Sequence, residues 1–399
     1  MNSYLEKRRV FVTFFLVAMA IGNISLFVQV LPKLKNGYQD FTIFYTGARL
    51  LSEGRADGLY NLRTQYEMQQ TFTNVPIRKG PLPFNHPPFE ALFFVPFTML
   101  SYWPAYLLWT GLNIIMLAII LMLLRKYFSQ LTRFSPLMMG TAGVGFFPIA
   151  IGVMQGQDMV SFLLLFVLTI ICLDRRKDWA AGVFLGMGLF RPQLVLPVLV
   201  LLAVRRWRIL LGFVPVAVLL AGISVAIMGW NGPLEYARFA SHLDQTRAVA
   251  FGPTAVPNLR GIFASLLDPI GLRRLAAFLI FVSSAVVFVI ALRRTREAHD
   301  SIVFLACLAA ATAILVSFHS LVYDFTLLFP ATLFLLSRVL WPEGKNVDKW
   351  LVVFLVLMFL TPLYAYLLLV IDGFVLYSIV LLWLYVRLLK SPQPAEVPS

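Results

Sequence analysis

The acidic residue Asp40 is the strongest candidate for a catalytic group in the chain. It comes nine residues after the first long apolar run, residues 10–31. Phe41, Tyr45 and Ala48 follow it at spacings of four and three, which predicts an amphipathic helix that lies on a membrane and begins near Asp40. A carboxylate in that position is either a general base or a helix N-cap, and caps are much commoner than perturbed carboxylates. Position alone therefore favours the cap.

Arg191 is the second candidate, because it lies between two short apolar segments. Residues 180–190 and 192–204 are each too short to cross a hydrocarbon core of about 30 Å as a helix. We expect two short helices that rise and return, with Arg191 at the apex. A guanidinium at that depth needs an anion, and a lipid phosphate is one that a membrane offers. A pair with Asp158 or Asp324, or a side chain that reaches the interface, explains the arginine equally well.

Other polar residues mark the same predicted outer side. His319 and Asp324 open a later apolar run, and two titratable groups there would lie beside an outer cavity. His86 precedes two prolines at the start of another run, and Gln157 and Asp158 form a tight turn between two runs. Ordinary turn chemistry explains each of these singly. Weaker signals come from polar residues of a later outer loop and from one cytoplasmic histidine: His242, Asp244, Arg247, Asn258, Arg260 and His299.

The composition excludes a soluble enzyme. Of 399 residues, 60% are hydrophobic and 13% are charged, which leaves enough apolar sequence for about twelve spans of about twenty residues each. The net charge of +14 comes from short clusters of Lys and Arg at the ends of apolar runs, so it argues for membrane topology and against a nucleic-acid partner. Cys172 and Cys307 lie inside apolar runs and predict no disulfide.

The whole chain, 1–399, is predicted to be one integral membrane domain whose basic clusters face the cytoplasm. On this topology both termini are cytoplasmic, and two long segments, 32–88 and 231–272, form extracytoplasmic loops large enough to roof a cavity. Residues 87–100 either enter the second span or lie at the interface. The expected apolar segments are 10–31, 104–124, 137–154, 158–173, 180–190, 192–204, 209–230, 273–292, 301–317, 323–340, 350–364 and 373–389.

Motifs of soluble nucleotide-binding and zinc enzymes are absent from the sequence, which has no P-loop and no His-Glu-x-x-His. We predict no metal and no cofactor. A flippase or transporter of a lipid-linked saccharide would also place an arginine at membrane depth, although the chain shows no internal repeat. A membrane scaffold with a lipid pocket is a third alternative. Neither readily explains an acidic residue just after the first span in a long outer loop.

The sequence resembles glycosyltransferase family 87 through short motifs in the family's order, from about residue 38 to residue 330. Each motif is weak alone, and their order together is fairly specific. The family more often has Lys, Tyr and Asn where Arg191, His86 and Asp158 stand. The motifs are Asp40-Phe41-Thr42-Ile43-Phe44-Tyr45, Gly58-Leu59-Tyr60-Asn61, Asn85-His86-Pro87-Pro88-Phe89, Gly156-Gln157-Asp158, Phe190-Arg191-Pro192-Gln193 and Ser317-Phe318-His319-Ser320-Leu321-Val322-Tyr323-Asp324.

The resemblance implies an all-α membrane protein of the GT-C type, a polytopic helical bundle with helices in its outer loops. It implies an inverting transfer of a sugar, typically mannose, from a polyprenyl-phosphate donor to a lipid-linked or cell-envelope glycan outside a bacterial plasma membrane. Asp40 would be the catalytic base, Arg191 would bind the phosphate, and His319 would position groups or relay a proton. Further substrate contacts are expected from Tyr45, His86, Gln157, Asp158, Gln193, Asn258, Arg260, Tyr323 and Asp324.

Overall fold

A computed structural model of the protein describes residues 2–37, 39–73, 82–242, 255–297, 301–342, 348–371 and 373–390. These residues are mostly helical, and no strand occurs among them. The α-helices are α1 (Asn2–Lys35), α2 (Phe41–Ser52), α3 (Leu62–Gln70), α4 (Pro88–Phe94), α5 (Tyr102–Tyr127), α6 (Pro136–Gly145), α7 (Phe147–Gln155), α8 (Met159–Asp174), α9 (Asp178–Met187), α10 (Pro192–Ala203), α11 (Ile209–Met228), α12 (Gly232–His242), α13 (Leu259–Leu267), α14 (Arg273–Glu297), α15 (Ile302–Val316), α16 (Phe329–Leu340), α17 (Lys349–Phe359), α18 (Thr361–Tyr366) and α19 (Val375–Lys390).

The helical membrane architecture expected from the sequence is confirmed. Within the described residues, five helical segments are long and apolar enough to cross a membrane: Glu6–Lys35, Tyr102–Tyr127, Ile209–Met228, Arg273–Glu297 and Val322–Leu340. Further apolar helices, such as α8 and α15, are shorter than a full span. Residues 322–340 differ from the other long segments because most of their side chains are buried inside the protein. The total of about twelve spans stays a prediction.

The expected span 137–154 is two helices rather than one. α6 and α7 meet at Phe146 with a bend of 64°. Pro148 lies in the first turn of α7, where its missing N–H costs nothing, whereas in one continuous helix it could not donate to the carbonyl oxygen of Val144. After the break, the end of α7 and the Gly156-Gln157-Asp158 turn lie next to Asp40 at the start of α2.

The short helices predicted around Arg191 are present as α9 and α10. A 3₁₀ turn, Gly188–Phe190, links them, and Arg191 directly precedes Pro192, the first residue of α10. α9 is held by α11 at very short distance, because a Cβ on Gly182 would lie 1.9 Å from the carbonyl oxygen of Ile209. Small residues allow such close backbone contact between helices in membranes. Arg191 is thus carried by a rigidly packed pair of elements.

α2 begins after Asp40 as predicted, but its apolar side does not face lipid. Phe41, Phe44 and Tyr45 are fully buried, and they pack against α4, α5 and the 3₁₀ turn Val95–Met99. The prediction of a helix lying on the membrane surface is therefore wrong for this face of α2. A helical spacing of apolar residues is the same whether the face contacts lipid or protein, so the sequence pattern could not separate the two.

Candidate functional site

Asp40 is buried at the start of α2, and its carboxylate contacts Gln157 rather than its own helix. Its Oδ2 accepts a hydrogen bond of 2.7 Å from Nε2 of Gln157, and its backbone N–H donates to Oε1 of Gln155. Among the described residues its side chain makes no capping hydrogen bond to α2. Sequence position left two roles open for Asp40, a general base or a helix N-cap. The carboxylate is oriented by Gln157 and not by a capping bond.

The turn after α7 brings Gln157 and Asp158 to Asp40. Gly156 ends α7 with φ of 66°, a left-handed conformation that glycine adopts without a steric penalty. A Cβ at this position would lie 2.7 Å from Cβ of Phe41, so glycine is also required by the close approach of α2. Tyr106 and Trp109 of α5 fix the turn by donating to the carbonyl oxygens of Met154 and Gly156.

Arg191 lies at the centre of a buried charged network. Its Nε donates to both carboxylate oxygens of Asp158 at 2.9 and 3.1 Å, and its Nη2 donates to Asp158 and to Oε1 of Gln157. Nη1 lies 3.6 Å from Oδ1 of Asp324, which is too long for a hydrogen bond. The ring centre of Tyr323 is 5.6 Å from the guanidinium carbon. Gln157 thus links Arg191 to Asp40 through two hydrogen bonds.

Asp324 reaches this network from the 3₁₀ helix Val322–Leu328, which leads into α16. Its Oδ2 accepts a hydrogen bond from the backbone N–H of Leu321 at 2.8 Å, so the carboxylate also holds the start of its own helix. His319 lies just before this helix and is half-buried. Its backbone carbonyl oxygen accepts from the Ser317 hydroxyl at 2.7 Å, and its imidazole is near enough to His86 to act on it electrostatically.

His86 and Glu90 form a second buried pair beside Asp158. Nδ1 of His86 lies 2.7 Å from Oε2 of Glu90, and a carboxylate oxygen of Asp158 lies within 4.8 Å of both groups. Burial, followed by the positive charge of Arg191, lowers the pKa of His86 to about 3, so the imidazole is neutral at pH 7. Glu90 is absent from the candidates that the sequence suggests. Its only signal is an acidic residue in the first turn of an apolar segment, four residues after His86.

The segments 32–88 and 231–272 meet next to these groups. The Tyr60 hydroxyl donates to the carbonyl oxygen of His86 at 2.8 Å. The Tyr60 ring lies 5.9 Å from that of Tyr236 and 5.4 Å from that of Phe239, both on α12. Residues 32–88 and 231–272 are therefore joined by aromatic contacts close to His86.

Three predicted substrate contacts have other partners in the structure. The Tyr45 hydroxyl donates to the carbonyl oxygen of Leu100. Asn258 caps α13 and donates to the carbonyl oxygens of Ile314 and Ser317, while Arg260 donates to that of Phe318. Within the described chain, no hydrogen bond connects the half-buried Gln193 to the network. Asp244, Arg247 and His299 lie outside the described residues, as does the side chain of His242.

The site as a whole combines a carboxylate, a bound guanidinium and a neutral imidazole over a short distance. Asp40 can accept a proton, and Arg191 can stabilise negative charge that develops nearby. His86, Glu90 and Asp158 also offer metal-ligating atoms that all lie within 4.8 Å of one another, a grouping that the sequence did not suggest.

Comparison with known protein families gives one match. The model of glycosyltransferase family 87 matches residues 84–318, more than half of the chain. This range includes the His86–Glu90 pair, the Gln157-Asp158 turn and Arg191, and it ends just before His319. No curated protein and no solved structure matches the chain.

Proposed function

The chain belongs to glycosyltransferase family 87, and we propose that it transfers mannose from a polyprenyl-phosphate donor to a lipid-linked or cell-envelope glycan with inversion at the anomeric carbon. The observation that carries the proposal is the hydrogen-bonded path from Asp40 through Gln157 to Arg191. A base and a cation at the two ends of one path are the groups that such a transfer needs on the two sides of the anomeric carbon.

In the proposed step, the Asp40 carboxylate takes the proton of an acceptor hydroxyl. The oxygen of that hydroxyl forms a bond to the anomeric carbon, and the bond from this carbon to the phosphate oxygen breaks. The electron pair of the broken bond leaves on the phosphate, so the products are the glycoside, polyprenyl phosphate and a protonated Asp40. General-base assistance of this kind contributes about 10²–10⁴-fold to a rate.

Arg191 is the residue proposed to stabilise the leaving phosphate. Asp158 occupies its Nε and Nη2 donors, which fixes the plane of the guanidinium, and Nη1 is the nitrogen without a hydrogen bond inside the described chain. A phosphate oxygen would replace the long contact of Nη1 with Asp324. His319, on the half-buried segment before Val322, is proposed to position the acceptor or the donor at the same place.

The proposed orientation follows from charge. Short basic clusters lie at the predicted cytoplasmic ends of the apolar helices, for example at Arg125 and Lys126 on α5 and at Arg387 and Lys390 on α19. With both termini in the cytoplasm, the path from Asp40 to Arg191 lies at the outer end of the bundle. A bacterial plasma membrane would place the acceptor in the cell envelope.

The test uses the purified chain in lipid nanodiscs with radiolabelled polyprenyl-phosphate mannose and an extract of membrane glycolipids. We expect a labelled glycolipid whose new linkage has the opposite anomeric configuration to the donor, and no such product with Asp40→Asn. The same protein in sealed liposomes tests the carrier alternative. Labelled donor that crosses the bilayer without a new glycosidic bond would replace the transferase with a flippase.

A further inference from the structure

His86, Glu90 and Asp158 converge at one buried place although they come from two distant parts of the chain. All three are at least nine-tenths buried, with exposures of 7%, 4% and 2%. Their nearest ligating atoms lie within 4.8 Å of one another. α4 carries Glu90 one turn after His86, and the left-handed turn at Gly156 delivers Asp158.

The ionised carboxylates of Glu90 and Asp158 only accept hydrogen bonds, and Nδ1 of a neutral His86 accepts when the ring proton is on Nε2. Nδ1 of His86 and Oε2 of Glu90 face each other at 2.7 Å, and in the described part of the chain neither has a separate hydrogen-bond partner. The Glu90 carboxyl also meets that of Asp158. Two ionised carboxylates in contact inside a protein repel one another unless a proton or a cation lies between them.

The surrounding charges do not supply that positive charge. Arg191 is the single guanidinium that contacts these groups among the described residues, and it is bound to Asp158 and faces Asp324. The described residues in contact here therefore include three carboxyl groups and one guanidinium: Glu90, Asp158 and Asp324 with Arg191. A proton can bridge only two of the ligating groups of His86, Glu90 and Asp158. One metal cation can bind all three at once.

We propose that His86, Glu90 and Asp158 bind one divalent transition-metal ion. Ligands at about 2.0–2.2 Å from a common ion lie about 3–4 Å from one another, so small rotations of these side chains bring them into coordination distance. One imidazole nitrogen with two carboxylate oxygens favours Zn²⁺ or Mn²⁺ over Mg²⁺ and Ca²⁺, which prefer oxygen ligands alone. Three protein ligands leave at least one position for water or another ligand.

Binding is measured without any sugar donor, so its outcome is separate from that of the proposed transfer. The purified full chain, free of affinity tag and treated with chelator, is dialysed in nanodiscs against micromolar Zn²⁺ or Mn²⁺, and bound metal is counted by mass spectrometry. Each sample is also melted with and without the ion. We expect about one ion per wild-type chain and a higher melting temperature when it is bound.

Glu90→Gln is the main test variant, because glutamine keeps the shape of the side chain and removes its charge. We expect its affinity to fall about tenfold or more, and that of His86→Ala to fall at least as far. Glu67→Gln is the matched control, since Glu67 lies on α3 in the same outer segment and makes an exposed pair with Arg63. It should bind as the wild type does.

Two results would overturn the metal site. A wild-type chain that melts normally but retains no ion and gains no stability with Zn²⁺ or Mn²⁺ would mean that protons alone hold the three groups together. A Glu90→Gln chain with wild-type stoichiometry and affinity would place the ion elsewhere. Wild-type stoichiometry decides the first question even where a variant fails to fold.

Discussion

Asp40→Asn separates a catalytic carboxylate from a structural one. Asparagine has nearly the same shape, and its side-chain oxygen can still accept the hydrogen bond that Nε2 of Gln157 gives to Oδ2 of Asp40. It can also occupy the first position before α2 as well as aspartate does. The substitution therefore removes one negative charge and the ability to accept a proton, with little change in packing.

The structure sets the expected size of each effect. A hydrogen bond to a charged group contributes about 1.5–3 kcal/mol and one between neutral groups about 0.5–1.5 kcal/mol, so exchanging one for the other at Gln157 costs about 1 kcal/mol of stability. No capping bond to α2 is lost, because the described structure contains none from Asp40. The loss of a general base lowers the rate about 10²–10⁴-fold, which is about 3–5 kcal/mol in activation free energy.

The assay compares mannose transfer and thermal melting on the same nanodisc samples of wild type, Asp40→Asn and Asp57→Asn. Asp57 is an exposed carboxylate in the same segment, 32–88, so its variant controls for a lost charge. We expect a large loss of turnover at position 40 alone and melting temperatures within a few degrees of one another. Ordinary turnover by a normally melting Asp40→Asn chain would refute the base, and His319 and Asp324 would become the next residues to test.

Three further results follow from the charges and the packing. Arg191→Ala should destabilise the chain by about 3–5 kcal/mol and abolish transfer, because it leaves buried carboxylates unpaired, while Arg191→Lys should retain part of both; equal and near wild-type behaviour of the two in melting and donor-binding assays would remove the ionic role. Ser52→Cys should react with an impermeant thiol reagent in intact cells and Ser129→Cys should not, although both sites are exposed, and the reverse pattern would invert the topology. Gly182→Ala should lower stability by about 1–3 kcal/mol in a thermal melt, whereas Gly222→Ala on α11 should not, because a Cβ there meets no described atom within 4 Å; equal melting would contradict the close packing.

The helices of this protein could be predicted well from the sequence because apolar runs bounded by charge are local signals. The run 104–124 is α5, the run 273–292 is α14, and the run 209–230 is α11. The break at Phe146 is harder to predict. A proline in the first turn of a short helix and a proline inside a longer helix look the same in the sequence, and Pro148 is the first kind. The number of spans needs the position of the bilayer, which the composition of a short helix does not fix.

Individual residues of the site could be predicted from the sequence, but the contacts between them could not. Asp40 and Arg191 are conspicuous because charged residues are expensive beside apolar runs. Their connection through Gln157 depends on the bend between α6 and α7 and on a left-handed glycine, which come from tertiary packing. Glu90 shows the limit most clearly, because a single acidic residue near two prolines has no local feature that distinguishes it from a solvated one.

The pairing of Arg191 with Asp158 also bears on how the chain enters its membrane during synthesis. The two residues are separated by 33 positions, so they emerge from the ribosome close together, whereas Asp324 is made much later. α8 and α10 can therefore leave the translocation channel with the guanidinium already neutralised by its own neighbour. Asp324 then arrives on a segment that must insert among helices already in place. There the positive charge of Arg191 stabilises its carboxylate.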